Sequence, residues 1–242
     1  MELNVQDLNV IRKKQCILFI IKNDEKFLIN NIDEILQLKK ENNIVFVVRE
    51  SIDRSIEILE NNNFVFIDLA FDSGYEEALK AGFEFIDKYN YETVIEFDSA
   101  SGLSIQQLHK INEINKDYKK EKQVIFISKM NKVRKNFKWY IYLSVFKKIN
   151  DPYSKLRLYN RQALKCIRKC FAYKMYAYNF ILLIFLMNQS SIEIKTKHFN
   201  KKSTWAQKKQ TFNTHFETFI YTIFITPFIK KFKINDWVSI QH

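Results

Sequence analysis

The chain has 242 residues, a length that fits one α/β domain with a C-terminal extension. Hydrophobic residues make up 47% and aromatic residues 15% of it, which excludes a chain dominated by disorder. The net charge is +12 and the excess of Lys and Arg lies beyond Lys116, beside apolar and aromatic stretches. That pattern fits an anionic membrane surface better than a nucleic-acid groove, and no nucleic-acid motif is present.

Residues 1–14 read as a polar lead-in. Residues 16–21, CILFII, form a continuous apolar run, as expected for a strand buried on both faces of a parallel sheet. A helix follows with Leu28, Ile32 and Ile35 on one face. Residues 44–48, IVFVV, predict the second strand, followed by a helix carrying Ile52, Ile56 and Leu59. Residues 64–67 predict a third strand. Gly74 opens a helix with Ala78, Gly82, Phe85 and Tyr89 inward. Residues 93–97 predict a fourth strand, and Ser104-Ile105-Gln106-Gln107 is a capping box that starts the next helix. Residues 124–128 predict a fifth strand. Residues 130–149 are basic and aromatic, and 150–154 read as a turn. Residues 156–170 read as strand-like, then helical, and 192–196 alternate like a half-exposed strand. Residues 171–187 are slightly short for a membrane span and predict a buried or interfacial helix. Residues 198–209 form a basic loop, and 212–232 suit a core helix, a membrane-surface helix or a partner-binding helix.

Strict alternation of strand and helix through about residue 128 predicts a mostly parallel sheet covered by helices on both faces. Ligands in such sheets sit outside the carboxyl ends of the strands. The residues expected there are Asn23, Asp24, Glu25, Glu50, Ser51, Asp72, Asp98, Ser99 and Ser101. An acid at a helix start also caps the helix and complements its dipole, so any one of them is a weak signal. The set points to a site. No Gly-x-Gly-x-x-Gly, Walker A loop, His-Glu-x-x-His or serine nucleophile elbow is present. The four histidines lack metal-ligand spacing. Cys16, Cys166 and Cys170 read as reduced structural thiols, which with the polar N-terminus suits a cytoplasmic protein.

Several stretches together resemble the family-2 glycosyltransferases with the A-type, Rossmann-like nucleotide-diphospho-sugar transferase fold, especially the dolichyl- or polyprenyl-phosphate mannosyltransferase-like branch. The first strand followed by Asn23-Asp24-Glu25 is similar to that family's strand ending in Asn-Glu. VVRESIDRS, from Val47, resembles its Val-Val-Asp-Asp-Gly-Ser-Thr-Asp segment, with Glu50 on an acid. Gly74, Ala78, Leu79 and Gly82 resemble its Gly-x-x-x-Ala-Leu-x-x-Gly helix. Asp98 falls on the first acid of its Asp-x-Asp motif, and Ala100 stands where the second would be. The segment from Asn150 to Arg161 resembles the acceptor-side Asp-x-x-Ser-Gly-Phe-Arg-Leu-Tyr-x-Arg stretch. The strand at 192–196 and Ser203 resemble the family's strand and following Ser-Lys loop.

The resemblance implies a glycosyltransferase domain over residues 1–205 and a basic, aromatic helical extension over 206–242. It implies that Asn23, Glu25, Glu50, Gly74, Asp98 and Ser99 bind a nucleotide-diphosphate sugar, with Asp98 on a divalent cation, Mg2+ or Mn2+. Asp151 and Arg157 become the expected catalytic residues, and Lys201, Lys202 and Ser203 the expected contacts to acceptor or leaving phosphate. The implied reaction is inverting transfer to a lipid-phosphate, polysaccharide or glycolipid acceptor in cell-envelope glycan synthesis, at the inner face of the membrane. Two other readings stand beside it: a degenerate homologue that binds a nucleotide or a partner without catalysis, and a basic membrane-peripheral α/β scaffold.

Overall fold

A computed structural model describes residues 2–4, 14–71, 74–101, 103–117, 123–129, 156–168 and 193–199. In chain order these form β1 (Glu2–Asn4), β2 (Gln15–Ile21), α1 (Glu25–Glu41), β3 (Asn43–Arg49), α2 (Ser55–Asn61), β4 (Val65–Leu69), α3 (Gly74–Lys88) and β5 (Thr93–Asp98). A short 3-10 turn (Ser99–Ser101), α4 (Ile105–Asp117), β6 (Gln123–Lys129), β7 (Leu156–Asn160), α5 (Arg161–Arg168) and β8 (Glu193–Phe199) follow. The segments 130–149, 171–187 and 212–232 and the expected extension at 206–242 lie outside the described residues.

The eight described strands make one sheet in the order β1-β4-β3-β2-β5-β7-β6-β8. β4, β3, β2 and β5 run parallel, while β1 pairs antiparallel with β4. β7 enters antiparallel between β5 and β6, and β8 runs parallel to β6. β2, the first long strand, therefore sits at the centre, with its successors β3 and β4 on one side and β5 on the other. The order of strands reverses between β2 and β5, which makes the carboxyl end of that pair the topological switch point.

The sequence explains why the centre forms as it does. From Cys16 to Ile21 every residue of β2 is buried, because the strand is covered on both faces and a polar side chain on either would lose its water. On one face Ile17, Phe19 and Ile21 join Ile44, Phe46, Ile95 and Phe97. Leu28, Ile35 and Leu38 of α1, Leu59 of α2 and Ile105, Leu108 and Ile111 of α4 cover them. Phe19 stacks on Phe46 at 4.8 Å between ring centroids. Burial of each such side chain contributes about 1.5–3 kcal/mol. On the other face α3 lies close, with Gly82 against Leu18 and Phe83 edge-on to Tyr159.

The capping box forms as expected. Ser104 Oγ accepts from the Gln107 N–H at 3.4 Å, and Gln107 Oε1 accepts from the Ser104 N–H at 3.0 Å. One expected helix starts later than its apolar spacing suggested. Ile52 lies ahead of α2 and is 90% exposed, because its N–H donates to Asn23 Oδ1 while Asp53 Oδ1 takes the Ser55 N–H at the helix start. Residues 1–14 also hold more than a lead-in, since Glu2–Asn4 extends the sheet edge along β4.

Candidate active site at the switch point

Two loops at the carboxyl edge are fastened to each other. The turn after β2 offers the N–H groups of Asn23, Asp24 and Glu25, which would otherwise be orphan donors at the start of α1. Ser51 Oγ accepts from Asn23 at 3.0 Å, Ser55 Oγ from Asp24 at 3.0 Å, and Asp53 Oδ2 from Glu25 at 2.9 Å. In return, Asn23 Oδ1 accepts from the Ile52 N–H at 2.9 Å. Glu25 Oε1 accepts two bonds from the Arg54 guanidinium, at 3.0 and 2.6 Å. Those bonds hold the Glu25 carboxyl below its ordinary value. Asp53 is lowered too: partial burial would raise it, but the N–H and hydroxyl of Ser55 and the N–H of Glu25 outweigh that.

Asn23 and Glu25 thus spend polar atoms on the loop after β3. Both Asn23 (φ 51°) and Glu50 (φ 35°) adopt left-handed backbone. Asn tolerates this; for Glu it costs on the order of 1 kcal/mol, a strain that persists only where the surroundings enforce it. Lys22 bridges to Glu50 at 3.6 Å, joining the ends of β2 and β3. Gly74 starts α3 with φ 85°, a conformation open to glycine at no steric cost.

The junction itself is made by Asp24, Asp98 and Ser99. Ile20 and Asp98 are register partners on β2 and β5, so the two chains leave the sheet side by side. Asp98 is 4% exposed, and its Oδ1 accepts from the Ala100 N–H at 2.9 Å, which folds the turn after β5. Ser99 Oγ donates to Asp24 Oδ2 at 2.5 Å, and the Lys22 N–H donates to the same oxygen at 2.8 Å. Burial pushes the Asp24 carboxyl up, with the charges of Asp98 and Asp53 adding to it and the bonds from Ser99 and Lys22 opposing it. Two carboxylates crowded at the end of a parallel pair favour a ligand that brings positive charge or hydroxyl donors.

The structure brings Asn23, Glu25, Glu50, Gly74, Asp98 and Ser99 to the same end of the sheet. Asp24, also expected at the strand ends, reaches Ser99 across the junction where Glu25 does not. Sequence spacing alone could not separate these neighbours, because each follows β2 by a few residues. Arg157, expected to be catalytic, is buried within the sheet. It is 1% exposed on β7, register partner of Glu96 in β5, with its Nη1 4.0 Å from the Glu96 carboxylate. Residue 157 falls on the alternate position that points into the sheet's α3 face, so the arginine expected to be catalytic is a buried counter-ion of Glu96. Asp151, Lys201, Lys202 and Ser203 lie outside the described residues. β7 starts and β8 ends at the same edge as Asp98, as the strand directions require.

Among the described residues no three His, Cys, Asp or Glu side chains converge as a metal site. One or two carboxylates are enough for Mg2+ when substrate phosphates supply the remaining oxygens. Asp98, with the Asp24 carboxyl near enough to feel its charge and the Ser99 hydroxyl on Asp24, fits that donor set. A cavity of about 310 Å3, lined by Gln37, Lys40, Glu41, His109 and Asn112, opens between α1 and α4. It lies by the C-terminal end of α1, away from the switch point.

The backbone matches those of several solved structures. Glucosyl-3-phosphoglycerate synthase from Mycobacterium tuberculosis, in complex with UDP, superposes with a TM-score of 0.62 at 12% identity, over 89% of this chain and 80% of that one. Mannosyl-3-phosphoglycerate synthase from Rubrobacter xylanophilus gives 0.61 at 10% identity, over 90% and 76%. S. aureus TarS 1-349 gives 0.51 at 15% identity, over 78% and 58%. The chain has the A-type nucleotide-sugar transferase fold. The mycobacterial synthase has also been solved with Mn2+ and UDP-glucose. No protein-family model and no curated protein matches the sequence. Among the described residues no helix is long and apolar enough to cross a membrane.

Proposed function

We propose that this chain is a glycosyltransferase that takes a sugar from a nucleotide-diphosphate donor at the β2/β5 switch point. The observation that carries the reading is the junction of Asp98, Ser99 and Asp24 at the reversal of strand order, in a fold shared with an enzyme solved with UDP. In this reading the nucleoside lies over the interlocked loops at Asn23–Glu25 and Glu50–Ser55, with Gly74 opening the helix beside them. The interlocking supports it, because a preformed site loses less entropy on binding. Asp98 and Asp24 are the residues that would hold a divalent cation, Mg2+ or Mn2+, for the diphosphate. That ion would offset the charge that builds on the leaving diphosphate.

The acceptor oxygen forms its bond to the anomeric carbon from the face opposite the diphosphate, and the bond from that carbon to the phosphate oxygen breaks. Configuration is inverted. A lipid phosphate is our preferred acceptor, as in the polyprenyl-phosphate branch, because its oxygen is already anionic and needs little help from a base. A glycan hydroxyl would need one, and Asp151, shortly before β7, is the candidate. Lys201 and Lys202, just past β8, are candidates to hold acceptor or leaving phosphate as fixed cations. The basic, aromatic stretch after residue 206 would keep the protein at the inner membrane face.

A second reading has its own support. Ala100 stands where a second carboxylate would strengthen the metal site, and Glu25 is engaged by Arg54. A protein that binds the nucleotide without turnover would look like this. Thermal-shift measurements with UDP- and GDP-sugars, with and without Mn2+, separate the two. A shift that requires Mn2+ supports transfer. A shift indifferent to Mn2+ favours the non-catalytic binder, and no shift with any nucleotide overturns both.

A further inference from the structure

β5 carries an acid where its burial pattern leaves no room for one. Glu96 is 0% exposed in the middle of TVIEFD, two residues before Asp98 and on the same face of the strand. A buried carboxylate is tolerated only when its oxygens are satisfied. Tyr75, the second residue of α3, donates its hydroxyl to Glu96 Oε1 at 2.5 Å. Tyr159 of β7 donates to Glu96 Oε2, and the Arg157 guanidinium lies 4.0 Å from that oxygen. Burial, reinforced by the charge of Glu96, pushes both phenols well above their ordinary value, so both remain donors at neutral pH.

These partners come from the elements that border the switch point on this face. Tyr75 brings the first turn of α3, which Gly74 aims through its positive φ. Tyr159 and Arg157 bring β7, the antiparallel neighbour that flanks β5 opposite β2. A core built for stability alone is served as well or better by apolar side chains of similar volume. The buried Glu96, Arg157 and Tyr159, with the hydroxyl of the half-buried Tyr75, give directional bonds instead, one pleat beneath Asp98. We infer that Glu96 is a positioning residue for Asp98: through Tyr75 and Tyr159 it locks α3 and β7 onto β5 and so fixes the turn in which Asp98 meets Ser99 and Asp24. This rests on the proposed role of Asp98 for its bearing on nucleotide binding, but not for the mechanical link.

The test uses the full chain and the variants Tyr75→Phe, Tyr159→Phe and Glu96→Gln, with Tyr89→Phe, whose ring packs on Phe85, as control. Hydrogen exchange is read at the Ala100 amide, which reports the Asp98 turn directly, and at residues 78–81, the first hydrogen-bonded turn of α3. Tyr75→Phe should speed exchange at both by about tenfold, the loss of one hydrogen bond to a charged group. α1 and β3 amides should be unchanged, and Tyr89→Phe should behave as wild type. Wild-type rates at Ala100 in both Tyr75→Phe and Glu96→Gln would overturn the inference. If Glu96→Gln does not fold, the two tyrosine variants decide it. A second readout is the gain in UDP-glucose affinity on adding Mn2+. That gain should fall about tenfold in Tyr75→Phe while metal-free affinity is kept, as for residues that orient a metal ligand. Equal loss with and without Mn2+ would contradict positioning. If the wild type binds no nucleotide sugar, the proposed function falls, and the exchange at Ala100 still decides the link.

Discussion

Gly82→Ala tests the closest approach in the fold. A Cβ at Gly82 would stand 2.7 Å from Leu18 Cδ2, 2.8 Å from Cδ1 and 3.2 Å from Cγ. Ordinary carbon contacts lie near 3.5–4.0 Å, so the Leu18 side chain would have to retreat by most of an ångström. It has nowhere to go. Leu18 is fully buried at the centre of β2, paired to β3 on one side and β5 on the other. Overpacking of this kind costs about 1–3 kcal/mol, and the better helix propensity of Ala returns about 1 kcal/mol. The net expectation is a loss of about 0–2 kcal/mol, read as a lower urea midpoint at unchanged m-value. Leu18→Ala alone should cost about 2–5 kcal/mol by opening a cavity. In the double variant the new methyl fills part of that space, so the two changes should couple favourably by about 0.5–3 kcal/mol. A Gly82→Ala variant as stable as wild type, with additive double-mutant energies, would refute the packing of α3 on β2.

Further predictions follow from the same geometry. Arg157→Met leaves Glu96 buried beside its tyrosines without its counter-ion and should cost about 3–5 kcal/mol, part of it recovered in Arg157→Met/Glu96→Gln; denaturation of the three variants checks this, and a neutral Arg157→Met would contradict the buried pair. Glu25 and Asp53 are depressed carboxyls, so the bonds they accept stabilise the folded loops in full above the ordinary carboxylate range, and that stability is lost as pH falls below it through their own lower values. Acid titration followed by amide shifts at 23–25 and 51–55 should show these loops loosening together, and Arg54→Ala should move the Glu25 midpoint upward; a downward or absent shift contradicts the ion pair. Removal of residues 212–242 should release the protein from anionic vesicles, and high salt should release it partly; binding that survives the removal would point to 171–187.

The fold was legible where burial on both faces leaves a composition signal. CILFII and IVFVV read as strands buried on both faces, and the helix of Ala78 and Gly82 follows from its spacing. What composition could not carry was pairing. β7 looks like any short strand, yet it enters antiparallel, and β1 is only the three residues Glu2–Asn4 paired at the sheet edge. The site was legible at the level of strand ends and not of side chains. Asn23, Asp24 and Glu25 are neighbours in sequence, but the turn after β2 sends Asp24 to Ser99, while Asn23 and Glu25 reach the loop at 51–55. Glu96 was not singled out, although the sequence places an acid inside an apolar strand there. Its meaning depended on Arg157 and Tyr159, more than sixty residues away in the chain and opposite it only in the register of the sheet.

The central claim is that Asp98 serves a metal-bound nucleotide-diphosphate sugar at the switch point. Isothermal titration of the wild type and Asp98→Asn with the UDP- or GDP-sugar that gives the largest thermal shift, with and without Mn2+, tests it most directly. The account predicts that Mn2+ strengthens binding to the wild type and that this gain disappears in Asp98→Asn, whose fold is intact by circular dichroism. Wild-type binding that ignores Mn2+, or a gain that survives in Asp98→Asn, would contradict it.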